Sequence, residues 1–235
     1  MKLAGQPAVV TGAGRGIGRA IALRLAAHGA HLTLVARSAP ELEEVAGVIR
    51  SAGGSATVHR ADITNDREVK TLFEAVAERH GALAVLVNNA GIGRFAAVSD
   101  MSLEDLDAMW SLNVRAAFSC TKLAIPLLRK ARGTIVQIAS LAAKNAFVGG
   151  GGYAATKWAL LGFSRCLMLE ERAHGIRVVT VCPGSVDTSF SASVRDPQKA
   201  ERIVAPNDVA DAVAAALLLP DRAMMSEIDI RPTTP

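Results

Sequence analysis

Thr11-Gly12-Ala13-Gly14-Arg15-Gly16-Ile17-Gly18 is the stretch that decides how this chain of 235 residues folds. It follows a short apolar run at residues 8–11 and opens a helical pattern at 16–28. Its four glycines permit a tight turn and remove the side chains that would keep a ligand off the backbone. Free N–H groups and the positive end of the helix dipole then converge on one point, which suits a pyrophosphate. A glycine-rich run alone is a weak signal. Its place between a strand and a helix makes it a strong one.

Outward from this turn, apolar runs alternate with helical periodicity to the end of the chain. The runs are residues 8–11, 31–36, 56–60, 83–88, 133–139, 176–182 and, more weakly, 226–230. The helical patterns are 16–28, 40–52, 66–80, 102–128, 153–174 and 207–219. The runs are rich in Val, Ile and Leu without polar alternation, as strands buried on both faces are. Gly29, Gly53, Gly81, Gly133 and Gly175 stand where helices should end, and each is expected to adopt the left-handed C-cap conformation. This alternation predicts an α/β fold: a single doubly wound Rossmann-type domain over residues 1–235, with a mostly parallel, seven-stranded sheet and helices on both faces.

Composition narrows the function. Half of the residues are apolar, so a sizeable core is available. The net charge of +4 comes from lysines and arginines scattered singly among acids, with aromatics at only 4%, so no nucleic-acid partner is expected. No apolar run is long enough to span a bilayer, so no membrane partner is expected either. The N-terminal residues enter the first strand at once and do not read as a signal peptide. Cys120, Cys166 and Cys182 lack metal-ligand spacing and read as reduced thiols of a cytoplasmic protein, with no metal.

The end of the second strand sets the choice of dinucleotide. A carboxylate about twenty residues beyond the glycine turn would accept hydrogen bonds from a free ribose 2′-hydroxyl. Val35-Ala36-Arg37-Ser38 offers none there. Arg37 instead presents a planar fork suited to a 2′-phosphate, and Arg15 approaches from the glycine turn. The pair favours NADP(H) over NAD(H).

Chemistry enters with Ser140 at the end of the fifth strand, Tyr153 thirteen residues later and Lys157 four beyond that. Residues i and i+4 share one helix face, so the phenol and the ammonium point into one cleft. A nearby cation favours a phenolate and is expected to bring Tyr153 below the ordinary tyrosine value near 10. Tyr153 would then exchange a proton with a substrate oxygen held by Ser140, while a hydride moves to or from carbon.

With these motifs the chain resembles the short-chain dehydrogenases/reductases from about Lys2 to Thr188. The matching residues are Thr11–Gly18, Asp62, Asn88-Asn89-Ala90-Gly91, Asn113, Ser140, Tyr153-Ala154-Ala155-Thr156-Lys157 and Pro183-Gly184 with Thr188. The resemblance implies a cofactor site of Gly12, Gly14, Arg15, Gly16, Ile17, Gly18, Arg37, Ser38, Asp62, Ile63, Asn89, Ala90, Gly91, Tyr153, Lys157, Pro183, Gly184, Val186 and Thr188. Within it, Asp62 and Ile63 serve the adenine, Asn89 the middle of the cofactor, and Val186 and Thr188 the carboxamide side of the nicotinamide. Asn113 completes a tetrad with Ser140, Tyr153 and Lys157 by holding a relay water, and Lys157 also grips the nicotinamide ribose.

The implied activity is NADPH-dependent oxidoreduction of a small carbonyl or alcohol substrate. Its alternatives are reduction of a 3-oxoacyl thioester and a non-catalytic NADPH-sensing role. A homodimer or homotetramer is expected, paired through the helices at 102–128 and 153–174, which carry Trp110, Phe118, Trp158, Leu161, Phe163 and Leu167 on more than one face. Residues 187–205 follow the last cofactor motif and are expected to form a substrate loop acting as a lid. Gly149–Gly152 should be mobile until a ligand binds.

Overall fold

The computed structural model describes residues 3–188, 190 and 203–233. β1 (Pro7–Thr11) passes through the glycine turn into α1 (Gly16–Ala27) and returns as β2 (His31–Ala36). α2 (Ala39–Ser51), β3 (Ser55–Arg60), α3 (Asp66–His80) and β4 (Val85–Asn88) complete the first half. The second half holds α4 (Leu103–Trp110), α5 (Ala117–Ala131), β5 (Thr134–Ile138), α6 (Gly151–Glu171), β6 (Arg177–Pro183), α7 (Pro206–Leu218) and β7 (Glu227–Ile230). The strand order is β3-β2-β1-β4-β5-β6-β7 and every pairing is parallel. The doubly wound sheet read from the sequence is therefore present, and parallel throughout.

Alternate residues of each buried strand serve opposite layers. Val10, Leu34, Val87, Val136 and Val181 pack against α1, α2 and α7 through Ile21, Leu25, Val45, Ile49, Val213 and Leu217. Val9, Val35, Leu86, Ile135 and Val178 face Leu72 and Val76 of α3, Cys120 and Leu128 of α5 and Leu167 of α6. Helix starts are fixed locally. Ser38, Asn65 and Ser102 are N-caps whose side chains accept from Glu41, Arg67 and Asp105 backbone N–H groups. Because the chain crosses over after β3, β1 and β4 lie side by side while their following loops diverge. That divergence opens the crevice at the carboxyl ends of the strands where ligands enter such sheets.

Three expectations change. The continuous helix expected at 102–128 is interrupted by a π-helical turn, Ser111–Ala116, which inserts an extra residue between α4 and α5 at Asn113. Gly29, Gly53, Gly81 and Gly175 do take positive φ, but Gly133 does not, and Arg132 carries the left-handed φ of 49° instead. Gly133 is required by space: a Cβ there would come within 2.7 Å of the Leu83 and Ala84 carbonyl oxygens. Of the apolar residues read as surplus on two helices, Leu161 and Leu167 are buried within the fold, while Trp110, Phe118 and Trp158 are about half exposed.

Candidate active site

A cleft of about 1700 Å³ runs across the carboxyl ends of the central strands. Gly12, Gly14, Arg15, Gly16 and Ile17 form one wall, with Arg37, Ser38, Asp62 and Ile63 behind them. Asn89, Ala90 and Gly91, then Pro183, Gly184, Val186 and Thr188, continue the lining towards Ser140, Tyr153 and Lys157. Every cofactor residue expected from the sequence lines this cleft except Gly18, which lies beneath it. A Cβ on Gly18 would collide with the Gly12 carbonyl and the Asn89 amide, so the helix can approach the turn only as glycine.

Hydrogen bonds lock the two loops that flank the crevice. Asn89 Nδ2 donates to the carbonyls of Thr11 (2.9 Å) and Gly12 (3.2 Å). Thr11 Oγ1 accepts from the backbone N–H groups of Asn89 (3.0 Å) and Ala90 (3.1 Å). Asn89 thus ties the glycine turn to the loop after β4. Asp62 accepts from Thr64 N (3.0 Å) and Thr64 Oγ1 (2.7 Å). Burial opposes its ionisation, but these bonds and the charge of Arg37 outweigh that and hold the carboxyl below its usual range. This is a cradle for an extended anion: bare backbone at the turn and two guanidinium groups beside it, Arg15 and Arg37.

Ser140 follows β5, and its Oγ accepts from Ala142 N at 3.1 Å. Tyr153 and Lys157 lie one turn apart on α6 and are both buried. The Tyr153 phenol and the Ser140 hydroxyl line the same stretch of the cleft. Lys157 Nζ sits 5.7 Å from the Tyr153 ring centroid and donates to the Ile138 carbonyl at 3.0 Å. Asn113, on the π-helical turn, is set just behind the cleft. Its Nδ2 donates to Ile92 O (2.9 Å) and Thr156 Oγ1 (3.0 Å), and its Oδ1 accepts from Ile92 N (2.9 Å). All four tetrad residues are therefore brought together.

A family model for short chain dehydrogenases matches residues 6–199. The chain belongs to the short-chain dehydrogenase family. It is 36% identical to a sepiapterin reductase of Chlorobaculum tepidum over 234 residues, 96% of each chain. Among solved structures, an alcohol dehydrogenase of the archaeon Thermococcus sibiricus complexed with 5-hydroxy-NADP superposes with a TM-score of 0.92 at 32% identity, covering 98% of this chain and 97% of that one. A metagenomic short-chain oxidoreductase in complex with NADP gives a TM-score of 0.88 at 37% identity, covering 99% and 100%.

In this short-chain dehydrogenase the electrostatics of the pair differ from the expectation. Burial pushes the Tyr153 phenol up to about 12, and the Ser140 hydrogen bond offsets only part of that rise. Burial also pushes Lys157 down to about 8. Desolvation dominates at Tyr153, and the Lys157 Nζ is directed at the Ile138 carbonyl. Tyr153 is thus a neutral phenol at neutral pH. Both amide protons of Asn113 are engaged by protein, so its side chain anchors Ile92 to α6.

Several lining residues escaped the sequence reading. Glu41 reaches back from α2 so that its carboxylate lies against Gly14. The Ser38-Ala39-Pro40-Glu41 spacing signals a capping box, which conceals that position. Phe95 and Phe147 also line the cleft, together with Phe190 of the expected 187–205 loop, each from a separate loop. The loop expected at 187–205 is anchored at its base, where Asp187 N donates to Val204 O (2.9 Å) and Val204 N to Ser185 O (3.1 Å). Residues 189 and 191–202, which carry most of the expected lid, lie outside the described residues. Gly151 and Gly152 belong to the first turn of α6. A Cβ on Gly152 would come within 2.9 Å of Met109 Cε, so contact explains this glycine.

Proposed function

We propose that this short-chain dehydrogenase is an NADPH-dependent carbonyl reductase. The observation that carries the reading is a buried phenol that shares one cleft with a serine hydroxyl, a buried lysine and an arginine-flanked glycine turn. The glycine turn at Gly12, Gly14 and Gly16 suits the pyrophosphate. Arg15, Arg37 and Ser38 suit a 2′-phosphate, Asp62 and Ile63 the adenine, and Asn89, Ala90, Gly91, Pro183, Gly184, Val186 and Thr188 the remainder. The solved relatives complexed with NADP support that choice. When bound, the nicotinamide supplies or accepts the hydride at the substrate carbon.

The chain's own groups supply the proton and the positioning. Tyr153 donates its phenolic proton to the carbonyl oxygen as negative charge develops there, and Ser140 holds that oxygen. A phenol lifted to about 12 is in the protonated state that reduction consumes. Lys157 offsets the developing phenolate through its charge, and it is the residue that would hold the nicotinamide ribose. Asn113 holds Ile92 and Thr156 so that α6 presents Tyr153 and Lys157 at a fixed depth.

Trp110, Phe118 and Trp158, half exposed on α4, α5 and α6, support pairing of two subunits through these helices. The free thiols of Cys120, Cys166 and Cys182 suit the cytoplasm. The activity is tested by NADPH and NADH consumption against a carbonyl panel that includes sepiapterin, simple ketones and a 3-oxoacyl thioester. NADPH-linked turnover of a free carbonyl is expected. Turnover confined to the thioester would move the assignment to that alternative, and binding without any turnover would favour the sensing role.

A further inference from the structure

Three of the six phenylalanines in this chain gather around its only tyrosine. Phe95 meets the Tyr153 ring edge to face, with centroids 5.3 Å apart and planes at 66°. Phe190 lies 5.8 Å from Tyr153 on another side, and Phe147 stands 6.0 Å from Phe95. The three come from the loop after β4, the loop before α6 and the segment after β6, so no helical or strand periodicity places them together. Each is roughly half exposed, and each lines the cleft beside the phenol.

The rings rest on bare backbone. A Cβ on Gly93 would come within 2.8 Å of the Phe95 ring and 2.9 Å of the Phe190 ring. A Cβ on Gly150 would come within 2.6 Å of the Phe147 ring. These glycines leave the space in which Phe95 and Phe190 pack on Tyr153 and Phe147 packs on Phe95. Charge is kept aside: Arg94, next to Phe95, is paired with Asp105 at 3.3 Å. Half-open phenyl rings beside a reactive hydroxyl leave apolar surface, among the described residues, of the kind a ligand covers. The Phe95–Tyr153 pair is edge to face, and the other two pairs are tilted at 50° and 54°, with no parallel stack among them.

We propose that Phe95, Phe147 and Phe190 form an aromatic cage that selects a carbonyl carried on a flat aromatic ring, so the substrate class is an aryl ketone or aldehyde and its alcohol. This rests on the carbonyl-reductase reading given above. The ring enters among the three phenylalanines and its carbonyl oxygen meets Tyr153. The hydride then adds to the carbonyl carbon and the phenolic proton to its oxygen. A saturated ring of equal carbon count buries similar area but cannot make the edge-to-face contacts. Each such contact is equivalent to roughly two- to tenfold in an equilibrium constant beyond burial; at about threefold each, two of them predict a preference of about tenfold.

The test compares phenyl and cyclohexyl ketones of matched carbon count by kcat/KM with NADPH, in wild type, Phe95→Leu and Phe147→Leu. The expected result is an aryl preference of about tenfold in wild type that falls towards unity in both variants, with the cyclohexyl value changing less. A wild-type ratio at or below one, or a ratio that both leucine variants preserve, overturns the cage. Phe147 does not touch Tyr153's ring partners other than Phe95, so its variant carries the comparison if Phe95→Leu does not fold. Calorimetry of an aryl alcohol against its cyclohexyl analogue on wild-type protein with NADP⁺ reads the same preference without turnover. Absence of turnover on any carbonyl would defeat the reductase reading, while the calorimetric ratio would still decide the cage.

Discussion

Replacing Lys157 by methionine should stabilise the cofactor-free protein at neutral pH while removing its activity. The ammonium is fully enclosed, and burial depresses its pKa from 10.5 to about 8. The sign follows from proton uptake. Between about pH 8 and 10.5 the unfolded chain binds the proton and the folded chain does not, so this group makes stability rise with pH across that window. Below about pH 8 the full penalty applies. The difference of 2.5 between those two values corresponds to about 3 kcal/mol. Methionine keeps the apolar stem and the length. It forfeits the hydrogen bond to the Ile138 carbonyl, which costs about 1 kcal/mol. The net gain is about 2 kcal/mol at pH 7, or roughly 4–8 °C in Tm for a chain of this size. Near pH 10.5 the gain should vanish and the lost hydrogen bond should leave the variant slightly less stable. Scanning calorimetry at matched protein concentration, at pH 7 and at pH 10, measures both limits. A variant that melts at or below wild type at pH 7, or a difference that does not change with pH, would refute the reasoning.

Three further outcomes follow from the same structure. Arg37→Asp should weaken NADPH about ten- to hundredfold while changing NADH far less, since charge-assisted bonds to a 2′-phosphate are worth roughly 1.5–3 kcal/mol; fluorescence titration with both dinucleotides checks this, and a wild type that prefers NADH would sink it. Gly133→Ala should destabilise the fold by roughly 1–3 kcal/mol, because its Cβ would press on the Leu83 and Ala84 carbonyls; chemical denaturation measures it, and an unchanged midpoint would show that the loop simply moves aside. Light scattering at micromolar concentration should give at least twice the 24.5 kDa chain mass, and Trp158→Glu should shift the protein towards monomer; a wild type that runs as a 24.5 kDa species would exclude the pairing.

The strands, the glycine turn and the arginine at the end of β2 were legible because each is a local pattern. A run of Val and Leu, a turn that needs glycine and a side chain at a strand's end are all set by neighbours in sequence. Tyr153 and Lys157 were legible for the same reason, being one helical turn apart. The sign of the Tyr153 shift was not, because burial is a property of everything packed around the ring. The π-helical turn at Asn113 left no compositional trace, since one extra residue per turn disturbs periodicity over only a few positions. The clustering of Phe95 and Phe147 with Phe190 of the expected substrate loop was invisible because three loops supply it, and only the assembled sheet brings those loops together. Gly133 was misread because a glycine needed for close approach looks the same in sequence as one needed for a left-handed cap.

If Tyr153 delivers the proton while the dinucleotide is held elsewhere in the cleft, removing the phenolic hydroxyl must separate turnover from binding. The most direct measurement pairs two quantities on wild type and Tyr153→Phe. One is the NADPH dissociation constant by fluorescence. The other is the single-turnover rate of deuterium transfer from NADPH, labelled at the transferring position, to a carbonyl substrate. Phenylalanine keeps the ring and its contact with Phe95 and removes only the hydroxyl. The rate should fall by about 10²- to 10⁴-fold, the range set by a positioned general acid, with the dissociation constant changed by less than about threefold. A near-normal transfer rate in Tyr153→Phe would contradict that role and leave Tyr153 as a packing residue.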